Sequence, residues 1–512
     1  MSPRLASSAP ATLVQVDSGT AAPAYRQICD SLREAIVGGR LAPGSHIPGT
    51  RVLASDLGVS RNTVNGALAQ LRAEGYVVAR ARTGTFVNER LPDLPVPAAR
   101  TGTAAPPRSA RERARARSTP RPVPVSARSA LLSGLPIAAG RSLVEPARPF
   151  QTGVPALDAF PWGLWARLFG SRARRAGAAL SGYGSVHGYR PLREAIAAYV
   201  AAARGARCTA PQIVVTAGAQ QGLDLVARVL IDPGDAVWLE DPGYPAARGV
   251  FAAAGARVVP VGLDAEGLQP AAAGTTAPRL VYVTPSRQYP TGITMSAARR
   301  LELLRRAAGG GVWIVEDDYD SEFRYASRPL PCLQGLDDAG RVIYVGTFSK
   351  TVFPGLRLGY LIVPEELVDA FGEARALCDR QPPGIEQAVL TDFLALGHFA
   401  RHVRRMRALY EERRDALLTA SRELLGERIL FGDTAAGMLA LAWLPPGVDD
   451  QATSRRLLAE GVEAPPLSSY AIRPLRRGGL LLGYAGYPPQ ALRAGVRRLA
   501  AALHAGGRQA AP

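Results

Sequence analysis

The sequence predicts a multidomain chain, with a small α+β segment first and a large α/β segment with a mainly parallel sheet second. Three observations carry this expectation. Up to about Glu89 the apolar residues recur at helical spacing. From Arg90 to about Pro149, Pro, Arg, Ala and Ser dominate. From Phe150 onward, apolar β-branched runs alternate with Ala/Leu/Arg helical stretches. The 512 residues leave room for a large core, and no repeat period is visible.

Residues 1–22 are expected to be a disordered terminus. Met1 to Ala11 has one arginine and no continuous apolar run, so it is not a secretory signal. Tyr25, Ile28, Leu32, Ala35 and Ile36 then mark one face of a helix that Gly38-Gly39 stop. Pro43-Gly44 and Pro48 make a turn. A helix from Val52 to Leu57 meets Gly58, and Ser60 is the natural N-cap of a second helix that buries Val64, Ala67, Leu68 and Leu71. This is helix-turn-helix spacing. The start of the second helix carries Arg61, Asn62 and Asn65, whose side chains suit phosphates and base edges. The run "VVARARTGTFV" reads as two short strands around Arg82-Thr83-Gly84, a wing with Arg80 and Arg82 aimed outward.

Residues 23–89 therefore resemble the winged-helix domain of the GntR family of bacterial regulators. That resemblance implies double-stranded operator DNA as partner, with phosphate or base contacts from Arg51, Arg61, Thr63 and the wing glycine Gly84. Ser60 belongs to the same surface. Arg51 and Arg61 are expected to position the domain, and Asn62 and Asn65 to read sequence.

Residues 90–149 cannot bury much apolar surface and read as a flexible linker. A flexible chain of that length spans roughly 40 Å. Between Leu91 and Arg148 lie ten arginines against Asp93, Glu112 and Glu145, part of a net charge of +18. So basic a chain favours an acidic partner, nucleic acid first.

Other classes are excluded. Cys29, Cys208, Cys332 and Cys378 are far apart and form neither a disulfide framework nor a metal-ligand pattern, so no metal is expected. No apolar run is long enough to span a bilayer, and the chain is expected in the cytoplasm, away from membranes.

Lys350 is the only lysine; every other residue among the 61 Lys+Arg is arginine. Arginine supplies positive charge anywhere, but a guanidinium stays protonated and cannot attack a carbonyl carbon. The motif "RVIYVGTFSKTVFPGLRLGY" places Lys350 after an apolar strand, Val342 to Val345, beside Thr347 and Ser349 and ahead of Arg357. Hydroxyls with a nearby arginine suit a phosphate, and a lysine there suits a Schiff base with pyridoxal 5′-phosphate.

The remaining parts of such a site can be sought independently. A second buried strand, Val312 to Val315, ends in Glu316-Asp317-Asp318-Tyr319. A carboxylate there can keep a pyridine nitrogen protonated, and a tyrosine beyond it can reach a phenolic oxygen. "IVVTAGAQQGLDLVARVL" reads as strand, tight turn and helix, which puts the Gly218, Ala219 and Gln220 amides at a helix N-terminus, a phosphate site. "EDPGYP" puts Tyr244 after another strand, where its ring can stack on a pyridine.

In this order, these pieces resemble the fold-type I pyridoxal-phosphate enzymes of the aspartate aminotransferase superfamily over residues 150–508. The resemblance implies Lys350 as the Schiff-base lysine and Asp317 as the partner of the pyridine nitrogen, with Asp318 as the alternative. It implies Tyr319 on the phenolic oxygen and Tyr244 as the stacking ring. Gly218, Ala219, Gln220, Thr347, Ser349 and Arg357 then surround the phosphate, and Tyr183 is lent across a dimer interface. It also implies a small α+β subdomain at the C-terminus.

Both halves on one chain, with "YVTPSRQYPTG" and "EDDYDSEFRY", resemble the MocR subfamily of GntR-type regulators, which includes the GabR- and PdxR-like proteins. That implies a head-to-tail homodimer regulating transcription in response to pyridoxal phosphate, an amino acid or an amine. Tyr289 replaces the usual Asn before "PTG", and Arg287 stands where His is common. The position of a carboxylate-gripping arginine falls at Gly478 or Gly479, with Arg477 nearest and Arg473 and Arg476 further away. These departures favour a regulator, with a transamination half-reaction at most, over the alternative of an active aminotransferase with an accessory DNA-binding domain.

Overall fold

The computed structural model describes residues 22–81, 83–91, 148–274, 277–325 and 330–507, with 14, 16, 17, 19 and 20. Arg82, nearly all of the expected linker and most of the expected N-terminal tail lie outside these residues. The chain divides into two compact units on either side of Pro122.

In the small unit, helix α1 (Ala24–Val37) is followed by strand β1 (His46–Ile47), helices α2 (Thr50–Asp56) and α3 (Arg61–Ala73), and strands β2 (Val77–Arg80) and β3 (Gly84–Val87). The sheet order is β1-β3-β2, antiparallel throughout. Ile28, Leu32, Ala35 and Ile36 of α1 pack with Leu53 of α2 and with Val64, Leu68 and Leu71 of α3 in one core. Ser60 caps α3 by accepting a hydrogen bond from the Thr63 amide at 3.1 Å. α2 begins two residues before the expected Val52, since the Gly49 carbonyl already accepts from the Val52 and Leu53 amides at 2.9 and 3.0 Å.

The large unit is built on an eight-stranded sheet of order β4-β11-β10-β9-β8-β5-β6-β7. The strands are β4 (Ile213–Thr216), β5 (Ala236–Asp241), β6 (Arg257–Asp264), β7 (Gly267–Leu268), β8 (Leu280–Val283), β9 (Trp313–Asp318), β10 (Val342–Thr347) and β11 (Gly359–Ile362). The run β10-β9-β8-β5-β6 is parallel, and β11 is antiparallel to both β10 and β4. Both central strands run past the expected ends, β9 to Asp318 and β10 to Thr347, because ladder pairing continues beyond the apolar residues to Asp318 opposite Gly346.

Every residue of β4, β8 and β9 is buried, as a sheet covered on both faces requires. On one face Val215 and Tyr344 join Leu192, Ile196 and Val389 from helices α5 (Arg190–Arg204) and α10 (Gly384–Ala395). On the other, Val214, Ile343 and Val345 join Leu223 and Val226 of α6 (Ala219–Leu230), Phe251 of α7 (Pro245–Ala253) and Phe371 of α9 (Val368–Cys378). The chain also includes α4 (Trp162–Arg174) and α8 (Ala297–Gly310). A smaller α+β portion follows: helix α11 (His398–Leu425), a three-stranded antiparallel sheet of β12 (Leu430–Phe431), β13 (Leu439–Trp443) and β14 (Gly479–Gly483), and helices α12 (Asp450–Ala459) and α13 (Pro489–Gly507). Among the described residues no helix is long and apolar enough to cross a membrane.

Candidate cofactor site and DNA-binding surface

Ligands of open α/β sheets bind outside the carboxyl ends of the strands. Here β4, β5, β8, β9 and β10 deliver Ala219 and Gln220, Tyr244, Thr284, Asp317 and Lys350 to one cavity of about 300 Å³. Lys350 follows β10 by three residues, and its Nζ donates to the Gly153 carbonyl at 2.9 Å. Gly153 has φ +79°, and a Cβ there would lie 2.7 Å from Nζ, so only glycine leaves the amine its seat. Burial pushes the Lys350 ammonium below its ordinary range, against the attraction of Asp320 and Asp317. That shift favours the neutral amine that attack on a carbonyl needs.

Asp317 and Asp318 are neighbours on β9 and face opposite ways, as strand geometry dictates. Asp318 points away from the cavity: Arg204 Nη2 lies 2.7 Å from its Oδ2, and the Tyr344 hydroxyl donates to the same oxygen at 2.7 Å. This removes it as the alternative. Asp317 lines the cavity; its Oδ2 accepts from the Tyr282 hydroxyl at 2.7 Å, while its Oδ1 is buried without a hydrogen bond. Burial raises its carboxyl to about 7, offset in part by the Tyr282 hydrogen bond.

At the other end, Gly218 (φ +97°) caps the 12-residue α6, leaving the Ala219 and Gln220 amides in its first turn without intrahelical acceptors. Thr347, Ser349 and Arg357 face the same space. Arg357, itself left-handed at φ +52°, donates from Nη2 to the Ala217 carbonyl at 2.7 Å and packs against Gly218, where a Cβ would meet the guanidinium at 3.3 Å. The Tyr244 and Tyr319 rings each meet Tyr289 edge-on, with centroids 5.6 Å apart in both pairs. Tyr289, which stands in place of the usual Asn, thus forms part of the cavity wall.

Tyr183 is not in the cavity; it is 85% exposed with the Arg380 guanidinium 4.8 Å from its ring centroid. Arg473 and Arg476 are exposed and Arg477 donates from Nε to the Leu444 carbonyl at 2.6 Å. None of these arginines lines the cavity. Sequence reading missed Tyr282, Thr284, Thr152, Gly153 and Asp320, all of which do. Tyr282 lies within β8 and Thr284 just beyond it, where nothing in the local pattern singles them out, and Gly153 reaches Lys350 from 197 residues away, a closeness that no spacing encodes. Asp320 did carry a signal: it is a further acid in the run that supplies Asp317 and Asp318.

These residues fit pyridoxal 5′-phosphate. The unpartnered Asp317 Oδ1 suits a protonated ring nitrogen, the free amides of α6 with Thr347, Ser349 and Arg357 suit a phosphate, and Lys350 suits an aldehyde.

In the small unit, Arg51, Arg61, Asn62 and Asn65 are exposed, and Arg51 and Arg61 make no ion pair among the described residues. Ser60 and Thr63 share a hydroxyl–hydroxyl hydrogen bond at 2.8 Å, so both hydroxyls are tied to the start of α3. The wing is less open than expected at Arg80, which pairs with Glu89 at 2.9 Å and lies 4.9 Å from the Phe86 ring centroid. Gly84, at φ +118°, lies so close to His46 that a Cβ would sit 2.6 Å from its Nε2.

Comparison with known proteins gives two family matches: residues 24–87 match the bacterial regulatory proteins of the gntR family, and residues 167–499 match aminotransferase class I and II. The probable rhizopine catabolism regulatory protein MocR of Rhizobium meliloti is 38% identical over 491 residues, 96% of each chain. The HTH-type transcriptional regulator TauR of Rhodobacter capsulatus is 37% identical over 483 residues, 92% of this chain and 94% of that one. Among solved structures, LysN, an α-aminoadipate aminotransferase from Thermus thermophilus complexed with N-(5′-phosphopyridoxyl)-L-leucine, is 29% identical. It superposes with a TM-score of 0.69, covering 75% of this chain and all of its own.

Proposed function

The chain belongs to the aminotransferase class I and II family through its large domain and to the gntR family through its small one, and we propose that the first informs the second. It is a pyridoxal-phosphate-binding, DNA-binding transcriptional regulator of the MocR type. In the proposed reading it works in the cytoplasm as a head-to-tail homodimer. Occupancy of the Lys350 cavity, by pyridoxal phosphate alone or with an amino compound, changes how the two small domains are presented to an operator. Such coupling requires the ligand to bind the two arrangements with different affinity.

When bound, pyridoxal phosphate supplies an aldehyde for an amine and a ring that accepts electron density. Lys350 holds it, and Asp317 keeps a proton on the ring nitrogen while Tyr282 fixes that carboxylate. Tyr319 is assigned to the phenolic oxygen and Tyr244 to the ring face. Gly218, Ala219, Gln220, Thr347, Ser349 and Arg357 form the phosphate cradle. The exposure of Tyr183 is consistent with service at a partner subunit's phosphate. On DNA, Arg51, Arg61, Ser60, Thr63 and the wing residues Arg80, Arg82 and Gly84 hold the backbone, and Asn62 and Asn65 read bases.

The observation that carries this reading is a lone lysine seated among cofactor-suited groups on a chain that also carries a helix-turn-helix. Borohydride reduction of pyridoxal-phosphate-treated protein, followed by peptide mass mapping, should place the pyridoxyl group on the Lys350 peptide. A label on no lysine peptide sinks the assignment. The completeness of the cofactor set favours a second reading, catalytic transamination. Many turnovers of an amino acid with an oxo acid per cofactor would establish it; a single half-reaction, or none, supports the regulator.

A further inference from the structure

The charges around the cavity identify the class of amine that it takes; this inference rests on the cofactor reading above. The cavity is lined by two carboxylates, Asp317 and Asp320, and two cations, Lys350 and Arg357. Three of these have assigned tasks: Lys350 holds the aldehyde, Asp317 serves the ring nitrogen, and Arg357 is bound to the Ala217 carbonyl at the phosphate end. Asp320 is left over. It is 2% exposed, and neither of its oxygens accepts a hydrogen bond.

It is ion-paired with Arg287, whose Nε stands 3.6 Å from Asp320 Oδ2, but at that distance no hydrogen bond joins them, so both carboxylate oxygens still lack a donor. Arg287 does not line the cavity. Its two Nη atoms donate to the Ala436 and Leu439 carbonyls, and a Cβ on Gly437 would collide with it, so it is locked behind Asp320. A buried carboxylate without hydrogen bonds is costly unless a donor meets it. An incoming α-carboxylate would face the Asp320 carboxylate and, among the described residues that line the cavity, meet no arginine besides Arg357 at the phosphate end.

We propose that the effector is an amine that carries a second hydrogen-bond donor, ammonium or hydroxyl, and no carboxylate, and that Asp320 receives this donor. The ammonium form gains the charge as well as the hydrogen bond and binds tighter than the hydroxyl form. Thr152, Tyr289 and Tyr319, which line the same cavity, are uncharged and offer a carboxylate no ion pair.

The test uses the full chain loaded with pyridoxal phosphate and three probe series of three to six carbons: α,ω-diaminoalkanes, amino alcohols and ω-amino acids. Calorimetry should show the best diamine binding about tenfold or more tighter than the amino acid of equal length, the advantage of a charge-assisted hydrogen bond. The amino alcohol should fall between them. In Asp320→Asn the diamine preference should shrink to about threefold or less. Equal or tighter binding of the amino acids, no binding by any series, or an unchanged ratio in Asp320→Asn overturns the proposal. The wild-type ratio decides even if the variant does not fold. Failure of borohydride to fix the cofactor at Lys350 overturns the underlying reading and this inference together; fixation with an amino-acid preference overturns this inference alone.

Discussion

Arginine is used in opposite ways in the two units. On the small unit Arg51 and Arg61 stand exposed without ion pairs among the described residues. In the large unit Arg204, Arg300 and Arg375 are at most 4% exposed, with their donors spent on Asp318, on backbone carbonyls and on Asp379. The first kind can be lost with little cost to folding and, in the proposed reading, much to DNA binding. The second kind ties strands and helices together inside the fold. Net charge alone cannot tell these apart, because an exposed phosphate contact and a buried counter-ion count equally in the total. Against both stands Lys350, where no arginine can serve.

The sharpest break of this contrast is Lys350→Arg. It keeps the charge but removes the amine, so covalent retention of pyridoxal phosphate should vanish entirely, as read by borohydride fixation, while DNA binding without cofactor persists. Next comes Asp318→Asn beside Asp317→Asn. The first leaves Arg204 buried without its counter-ion and should cost about 3–5 kcal/mol in denaturant unfolding. The second removes a carboxylate with one unpartnered oxygen and should cost much less, yet weaken pyridoxal phosphate binding more than the first.

In the small unit, Ser60→Ala removes the cap of α3 and should cost about 1 kcal/mol of stability. Arg61→Ala should leave stability within about 0.5 kcal/mol. It should also flatten the salt dependence of DNA binding by about one unit of log–log slope. A change in operator preference with an unchanged slope would instead make Arg61 a base reader.

A further expected effect is one of pH. In the cofactor-free protein, burial raises Asp317 and Glu240 to about 7 and Asp320 to about 6. Groups raised above their unfolded values hold protons that the unfolded chain releases. Their stabilisation is full below about pH 4 and is lost as pH rises through 6 to 7. Thermal unfolding of the large domain should therefore move down by a few degrees between pH 5.5 and 8. Pyridoxal phosphate should flatten that fall by giving Asp317 a lasting partner.

Much of the site was legible because its parts sit where local pattern is strong. An apolar run followed by "TFSK" places Lys350, and "TAGAQ" places the phosphate turn at the start of α6. The choice between Asp317 and Asp318 was not legible from composition. It follows from which face of β9 meets Arg204 and Tyr344, residues far away in sequence. Arg80 read as free because Glu89, its partner, lies across the β2–β3 hairpin. Asp320 stayed hidden for a related reason: whether an acid faces a cavity or a counter-ion depends on where Arg287 spends its donors, and those go to carbonyls 149 and 152 residues away.

In the proposed function the Lys350 cavity and the helix-turn-helix are coupled. The most direct measurement is the affinity of the full chain for a DNA fragment selected from a random pool, at fixed salt, with and without pyridoxal phosphate. Coupling should give a change of about fivefold or more in wild type and none in Lys350→Ala. Equal affinities in wild type, or the same change in Lys350→Ala, would contradict it.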